Sequence, residues 1–281
     1  LPLRAFVLPN GRAVTLEDFE SGRIGPDDTG AFPPALLYRM LKAEADNPHK
    51  GGMISVTSML SCLRKTYFER TRPYDAPPIL FWYPYRGTIL HTGLQTDDLK
   101  DWICERRFSA DLNGHALSGQ IDAYHVPTRT LWDYKTAHEA KLSALMRFGL
   151  PKSHIHQVNG YRWLLEKNGL GVDRMRITYL SMMDVVTTGE TGGPISLPSV
   201  PVLPFPEIET LLADRAMVLR RAFDLDEIPI YTDADTRRWL CRKYCPVKSY
   251  CDDMGDRPDD GLPPNSVPID LAWEASPKTE N

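Results

Sequence analysis

Apolar residues along the first third of the chain recur at helical spacing, and near residue 102 the pattern switches to strand-like alternation. Residues 1–34, rich in Gly, Pro and Asp, predict an irregular arm. "GAFPPALLYRMLKAEAD" predicts a helix opening after its proline pair. "SVTSMLSCLRKTYFERT" predicts a second, with Leu60, Leu63, Tyr67 and Phe68 at helical intervals. "DAPPILFWYPYRG" reads as a Pro-punctuated loop leading into a third helix, "GTILHTGLQTDDLKDW".

After the switch, "ICERRFSADLNGHALSGQIDAYHV" has strand character on both sides of Asn113-Gly114, a preferred pair for a tight hairpin turn. "PTRT" makes the next turn and "TLWDYKTA" a third strand. Residues 138–148 and 152–168 predict helices, the second stopping at "KNGLG". "DRMRITYLSMMDVV" reads as a further strand and "FPEIETLLADRAMVLRRAFDL" as a long amphipathic helix. Helices, then a hairpin-led sheet, then helix and strand predict an α/β domain around a mixed central sheet.

Composition narrows the class. At 42% hydrophobic and 25% charged, the 281 residues suit a globular protein with a substantial core. No apolar run approaches the roughly 20 residues that span a bilayer, so no membrane partner is expected. The opening "LPLRAFVLPNGRAVTLEDFE" shows no signal-peptide pattern, which leads us to expect an intracellular, cytoplasmic protein. The net charge is −4, but residues 252–281 alone carry −6, leaving +2 on the first 251. An acidic, Pro-rich tail on a mildly basic body is neutral evidence on nucleic-acid binding.

The chemistry begins at Asp122, Asp133 and Lys135. Asp-x-Lys alone says little, since about one is expected by chance at roughly 6% usage of each residue. Here, however, Asp133 and Lys135 point to one side of a strand, and Asp122 lies on the preceding strand across a short turn. Two carboxylates and a lysine together suit metal-assisted phosphodiester hydrolysis: oxygen ligands for Mg²⁺ or Mn²⁺, and an ammonium to steady charge on phosphate. A solvated ion-paired sheet face is the alternative for these three alone. His91 sits within a predicted helix, and Gln157 and Tyr161, four residues apart, share a helix face.

The order of short motifs is more specific than any of them. Ser58-x-x-x-Cys62, Gly87-x-x-x-His91, Gly119-x-x-Asp122, Asp133-x-Lys135, Gln157-x-x-x-Tyr161 and a terminal cysteine cluster follow one another. Over about residues 55–251 this resembles the RecB-like branch of the PD-(D/E)xK nucleases, most closely its iron–sulfur members: the CRISPR-associated Cas-four exonucleases and the AddB nuclease domain. The resemblance implies a restriction-endonuclease-like core with an N-terminal helical part. It implies a metal held by His91, Asp122, Asp133 and the backbone carbonyl of Tyr134, with Lys135 as the catalytic lysine. Gln157 and Tyr161 would brace that lysine or the bound strand. Many relatives carry Glu at the position of Asp133; Asp is shorter but also binds metal.

Five cysteines, an odd number without a secretory signal, disfavour a disulfide framework. Three fall within "CRKYCPVKSYC", a spacing that suits metal ligands. The resemblance implies that Cys62, Cys241, Cys245 and Cys251 hold a 4Fe-4S cluster and leaves Cys104 as a buried structural thiol. The family's usual Cys-x2-Cys-x5-Cys becomes Cys-x3-Cys-x5-Cys here, and four thiolates also suit Zn²⁺.

The expected organisation is an N-terminal arm and helix (1–50), a nuclease domain (51–251) and an acidic tail (252–281). The expected function is a Mg²⁺- or Mn²⁺-dependent DNA nuclease, prokaryotic or phage-encoded, acting as an exonuclease on single strands or ends. "ILFWYPYRG" would either pack or stack bases. The rival reading is a nuclease-fold DNA-binding or scaffold subunit of a DNA-processing complex with little catalysis.

Overall fold

The computed structural model describes residues 3–25, 27–29, 32–46, 53–94, 99–181, 185–190, 197–229, 241 and 244–252. In chain order the elements begin with strands β1 (Leu3–Val7) and β2 (Ala13–Val14) and helices α1 (Leu16–Glu20) and α2 (Pro34–Ala45). Next come β3 (Ile54–Ser55), α3 (Val56–Met59), α4 (Leu63–Thr71), β4 (Tyr74–Ala76) and α5 (Ile79–Leu94). The hairpin β5 (Trp102–Leu112) and β6 (His115–His125) is followed by β7 (Thr130–Thr136), α6 (Glu139–Phe148) and α7 (Lys152–Lys167). The remainder is β8 (Arg174–Leu180), β9 (Val185–Thr187), α8 (Phe205–Leu225) and α9 (Lys248–Asp252).

These elements divide between two compact units, the first drawn from the described residues within Leu1–Gly52, Ser61–Thr88 and Val218–Pro263. Its sheet has the order β2-β1-β4, with β1 antiparallel to β2 and parallel to β4. The segment expected to be an irregular arm is therefore partly regular: it supplies two strands and a helix whose Thr15 and Asp18 form a capping box. Its proline and glycine punctuation hid β1 and β2, and the second partner of β1, β4, lies about 70 residues away, as Leu3 opposite Tyr74 shows. Phe6, Leu37, Met40, Tyr67, Phe68 and Phe81 form the centre of this unit's core. Each such burial stabilises by about 1.5–3 kcal/mol.

Two helix expectations are corrected in detail. The second helix is broken at residues 60–62, where β3, α3 and then α4 replace one continuous rod. The supposed Pro-rich loop forms the first turns of α5, with Pro84 inside the helix and Phe81 buried in the core. Leu80, Trp82 and Tyr85 pack against that core, which offsets the hydrogen bond that proline removes.

The second unit, from Met53–Leu60 and Ile89–Met217 among the described residues, holds the mixed six-stranded sheet. Asn113 (φ 54°) and Gly114 (φ 80°) close the β5–β6 hairpin with both central residues left-handed, as the tight turn requires. β6 pairs along its length with β5, but on its other side with β3 only at Leu117 and Ser118 and with β7 only at residues 123–125. Strands β6 and β7 thus splay next to Asp122 and Asp133. β8 lies parallel to β7 through the α6–α7 crossover, and β9 antiparallel to β8. The mixed sheet with crossover helices is the α/β core expected from the periodicity.

Candidate active site

The splay between β6 and β7 is where charge collects. Asp122 is 8% exposed, and its Oδ2 accepts the Tyr134 backbone N–H at 2.5 Å, a bond that replaces the missing ladder contact. Burial pushes the Asp122 carboxyl up to about 7, helped by the Asp133 charge and opposed by His91, the Tyr134 N–H and Lys135. His91, on α5, lies with Nδ1 3.4 Å from Asp122 Oδ1. Its pKa is raised by the hydrogen bond to Glu105 against the opposing effect of burial, with Asp122 adding to the rise.

Asp133 is 1% exposed. Its Oδ2 lies 2.6 Å from Lys135 Nζ but has no aligned hydrogen bond, so a buried oxygen keeps lone-pair capacity. The lysine is held from the other side: Nζ donates to Gln157 Oε1 at 3.0 Å, and Gln157 Nε2 donates to Tyr161 Oη at 2.8 Å. Tyr161 Oη also shares a hydrogen bond with Thr57 Oγ1 at 3.1 Å. Burial holds the Tyr161 phenol protonated, well above its ordinary range. Tyr134 is likewise pushed up to about 12 by burial.

Glycine makes this arrangement possible at one motif position. A Cβ on Gly119 would meet Leu164 Cδ1 at 2.7 Å and Tyr161 Cε1 at 2.9 Å. β6 therefore needs glycine there for α7 to bring Gln157 and Tyr161 down onto Lys135. Gly87, four residues before His91, has open space around it.

Four of the expected residues (Asp133, Lys135, Gln157 and Tyr161) are joined in one chain of contacts. His91 and Asp122 meet in a second group, whose third member, Glu105, sequence reading missed. Donor atoms of His91, Glu105 and Asp122 all lie within 4.8 Å of one another, and among the described residues no other His, Cys, Asp or Glu group does so. Opposite ligands of an octahedral Mg²⁺ stand about 4.2 Å apart, twice the roughly 2.1 Å bond, so the group fits one divalent cation. Asp133 lies outside it. The Tyr134 backbone enters the site through its N–H to Asp122.

The cysteines belong to the first unit, apart from Cys104, which is half-buried on β5 instead of buried. Cys62 is the N-cap of α4, and Cys245 and Cys251 pack against that unit's core. Burial pushes the Cys245 thiol up to about 12, with Cys241 close enough to add to the shift. Zinc bonds of about 2.3 Å would set tetrahedral sulfurs about 3.8 Å apart. Among the described residues no three cysteine sulfurs lie within 4.8 Å of one another. In the aromatic stretch singled out for stacking, Phe81 is core, while Tyr83 is 45% exposed and meets Tyr244 edge-on at 5.9 Å.

Among the described residues no helix is long and apolar enough to cross a membrane. The profile of the PD-(D/E)XK nuclease superfamily matches residues 60–252. No curated protein matches the chain. Among solved structures, one titled "Crystal structure of SSO0001" is 20% identical, with a TM-score of 0.49, covering 76% of this chain and 93% of its own.

Proposed function

The chain belongs to the PD-(D/E)XK nuclease superfamily, and from that premise we propose that it is a Mg²⁺- or Mn²⁺-dependent DNA nuclease of the RecB-like, iron–sulfur type. Single strands or DNA ends would be its substrates, exonucleolytic trimming its activity, and the cell interior its place of work. The observation carrying this reading is the linked set: a divalent-ion-sized His91–Glu105–Asp122 group beside Asp133 and a Lys135 fixed by Gln157 and Tyr161.

The His91–Glu105–Asp122 group fits a divalent cation; His91 and Asp122 would hold it, with Asp133 and the Tyr134 carbonyl as the further holders that the family pattern implies. When bound, such an ion supplies Lewis acidity toward phosphate and acidifies water. The chain's own part is positional. Lys135, held between Asp133 and Gln157, presents its ammonium where charge grows on the non-bridging phosphate oxygens. Water then forms a new P–O bond as the P–O bond to the leaving strand breaks, and the water's proton passes to solvent or the departing oxygen. Tyr161 and Thr57 keep Gln157 from swinging away, which preserves that geometry.

The nuclease region would span residues 51–251, with 1–50 as an N-terminal arm and helix and 252–281 as an acidic tail. Cys62, Cys241, Cys245 and Cys251 would hold a 4Fe-4S cluster, with Zn²⁺ as the alternative that four thiolates also suit. The experiment is cleavage of end-labelled single-stranded and duplex DNA with Mg²⁺, Mn²⁺ or EDTA, on anaerobically purified protein with its iron content measured. Metal-dependent laddering from one end of single strands is expected. An inert, iron-loaded protein would refute the catalytic reading, and zinc in place of iron would refute the cluster.

A further inference from the structure

Glu105 occupies an unusual position. It sits inside the eleven-residue strand β5 with φ at 47°, a left-handed conformation that costs a non-glycine residue about 1–3 kcal/mol. The pairs on either side keep register, Cys104 with Ala123 and Arg106 with Ile121, so no inserted residue explains the kink. The side chain is 6% exposed, a costly place for a carboxylate without partners.

Both of its oxygens are committed. Oε1 lies 2.7 Å from His91 Nδ1, and Oε2 accepts from Gln120 Nε2 at 2.8 Å. Gln120 is held in turn by Arg107, which reaches Gln120 Oε1 at 3.3 Å and Ser118 Oγ at 3.2 Å. The carboxylate is therefore fixed from β6 and β5 with one oxygen turned toward His91. The spacing that results is compatible with a shared cation. Neighbouring ligands of an octahedral cation with bonds of about 2.1 Å stand about 3.0 Å apart. The separations from His91 Nδ1 to Glu105 Oε1 (2.7 Å) and to Asp122 Oδ1 (3.4 Å) bracket that figure.

We propose that Glu105 is a direct ligand of the catalytic cation, beside His91 Nδ1 and Asp122 Oδ1, while the Gln120–Arg107 pair holds it in place. The proposal rests on the nuclease reading above and adds a ligand to it. The register sets Glu105 opposite Asp122, between the Cys104–Ala123 and Arg106–Ile121 pairs, which places it on the Asp122 side of the hairpin, and the left-handed backbone is a strain carried at that same position.

The test is Mn²⁺ binding, followed by the electron paramagnetic resonance of free Mn²⁺, without DNA. Glu105→Gln should weaken Mn²⁺ about tenfold to a hundredfold, the loss typical of disturbing a metal's supporting groups. Glu105→Gly should weaken it equally while melting no lower than wild type, because glycine relieves the left-handed strain. Glu105→Cys separates ligation from mere positioning: a thiolate in the shell shifts preference toward soft Cd²⁺ relative to Mn²⁺. Wild-type Mn²⁺ affinity in the Gln or Gly variant, or no gain for Cd²⁺ in the Cys variant, would overturn the proposal. Asp122→Asn serves as the reference. If it also binds like wild type, the metal centre itself is wrong; if it alone fails, only Glu105 is.

Discussion

Replacing Gly119 by Ala adds a single methyl group and tests how the fold delivers Gln157 and Tyr161 to Lys135. The new carbon would stand 2.7 Å from Leu164 Cδ1 and 2.9 Å from Tyr161 Cε1, against an unstrained carbon–carbon separation of about 3.5–4.0 Å. Both neighbours are buried on α7, Leu164 fully and Tyr161 to 5% exposure, so relief requires the helix to move outward by close to an ångström. Overpacking of this kind costs about 1–3 kcal/mol. The smaller entropy of the unfolded alanine chain returns about 0.4–1 kcal/mol. The net loss is up to about 2.6 kcal/mol and centres near 1.3 kcal/mol, which at about 2–4 °C per kcal/mol lowers Tm by about 3–5 °C at the centre of that range. Because Gln157 rides on α7, the same displacement detaches Lys135 from its anchor, and kcat should fall about tenfold or more. Gly87→Ala is the control of opposite sign: in helix α5 with open space at Cβ it should gain about 0.5–1 kcal/mol. Calorimetry and single-turnover cleavage report both. A Gly119→Ala protein that melts at or above wild type and cleaves normally would refute the close packing of α7 on β6.

Tyr161→Phe removes the hydroxyl that joins Gln157 and Thr57, leaving a half-buried amide donor without it; a loss of about 1 kcal/mol in urea unfolding is expected, with kcat reduced and KM unchanged. Asp122, with its carboxyl raised to about 7 against an ordinary 3.8, binds its proton more tightly folded than unfolded. Metal-free protein should therefore lose stability as pH rises from about 4 through 7, and His91, also raised, acts in the same direction. Asp122→Asn should flatten that decline and melt higher than wild type at pH 8 in EDTA; an unchanged pH profile of Tm contradicts the buried-carboxylate assignment.

The sheet was legible in the sequence because its cues are local. Asn113-Gly114 marks the hairpin, and Asp133 and Lys135 are two residues apart on one strand, so their common side follows from the pleat. Gln157 and Tyr161 followed equally from helical spacing. The missing parts depend on distant partners. β1 looked irregular because its neighbour β4 enters only after four further helices. Glu105 lay in "CERRF", where a charged residue on an alternating strand reads as solvent-facing. The register that sets it opposite Asp122 and the approach of His91 from α5 bring it into the site. A charge inside an otherwise pairable strand, 17 residues before Asp122, was the one available signal. The Pro-rich start of α5 was misread because burial of Phe81 outweighs the local cost of Pro84.

We propose that the Lys135 ammonium, fixed between Asp133 and Gln157, works on a phosphodiester beside a divalent ion. The most direct test is single-turnover cleavage of end-labelled single-stranded DNA in Mn²⁺, comparing wild type with Lys135→Ala that melts as a folded protein and binds Mn²⁺. The account predicts cleavage by wild type, none in EDTA, and a rate about 10²–10³-fold lower in the variant, the usual effect of deleting one charge-stabilising donor. A variant that cleaves at the wild-type rate would contradict it.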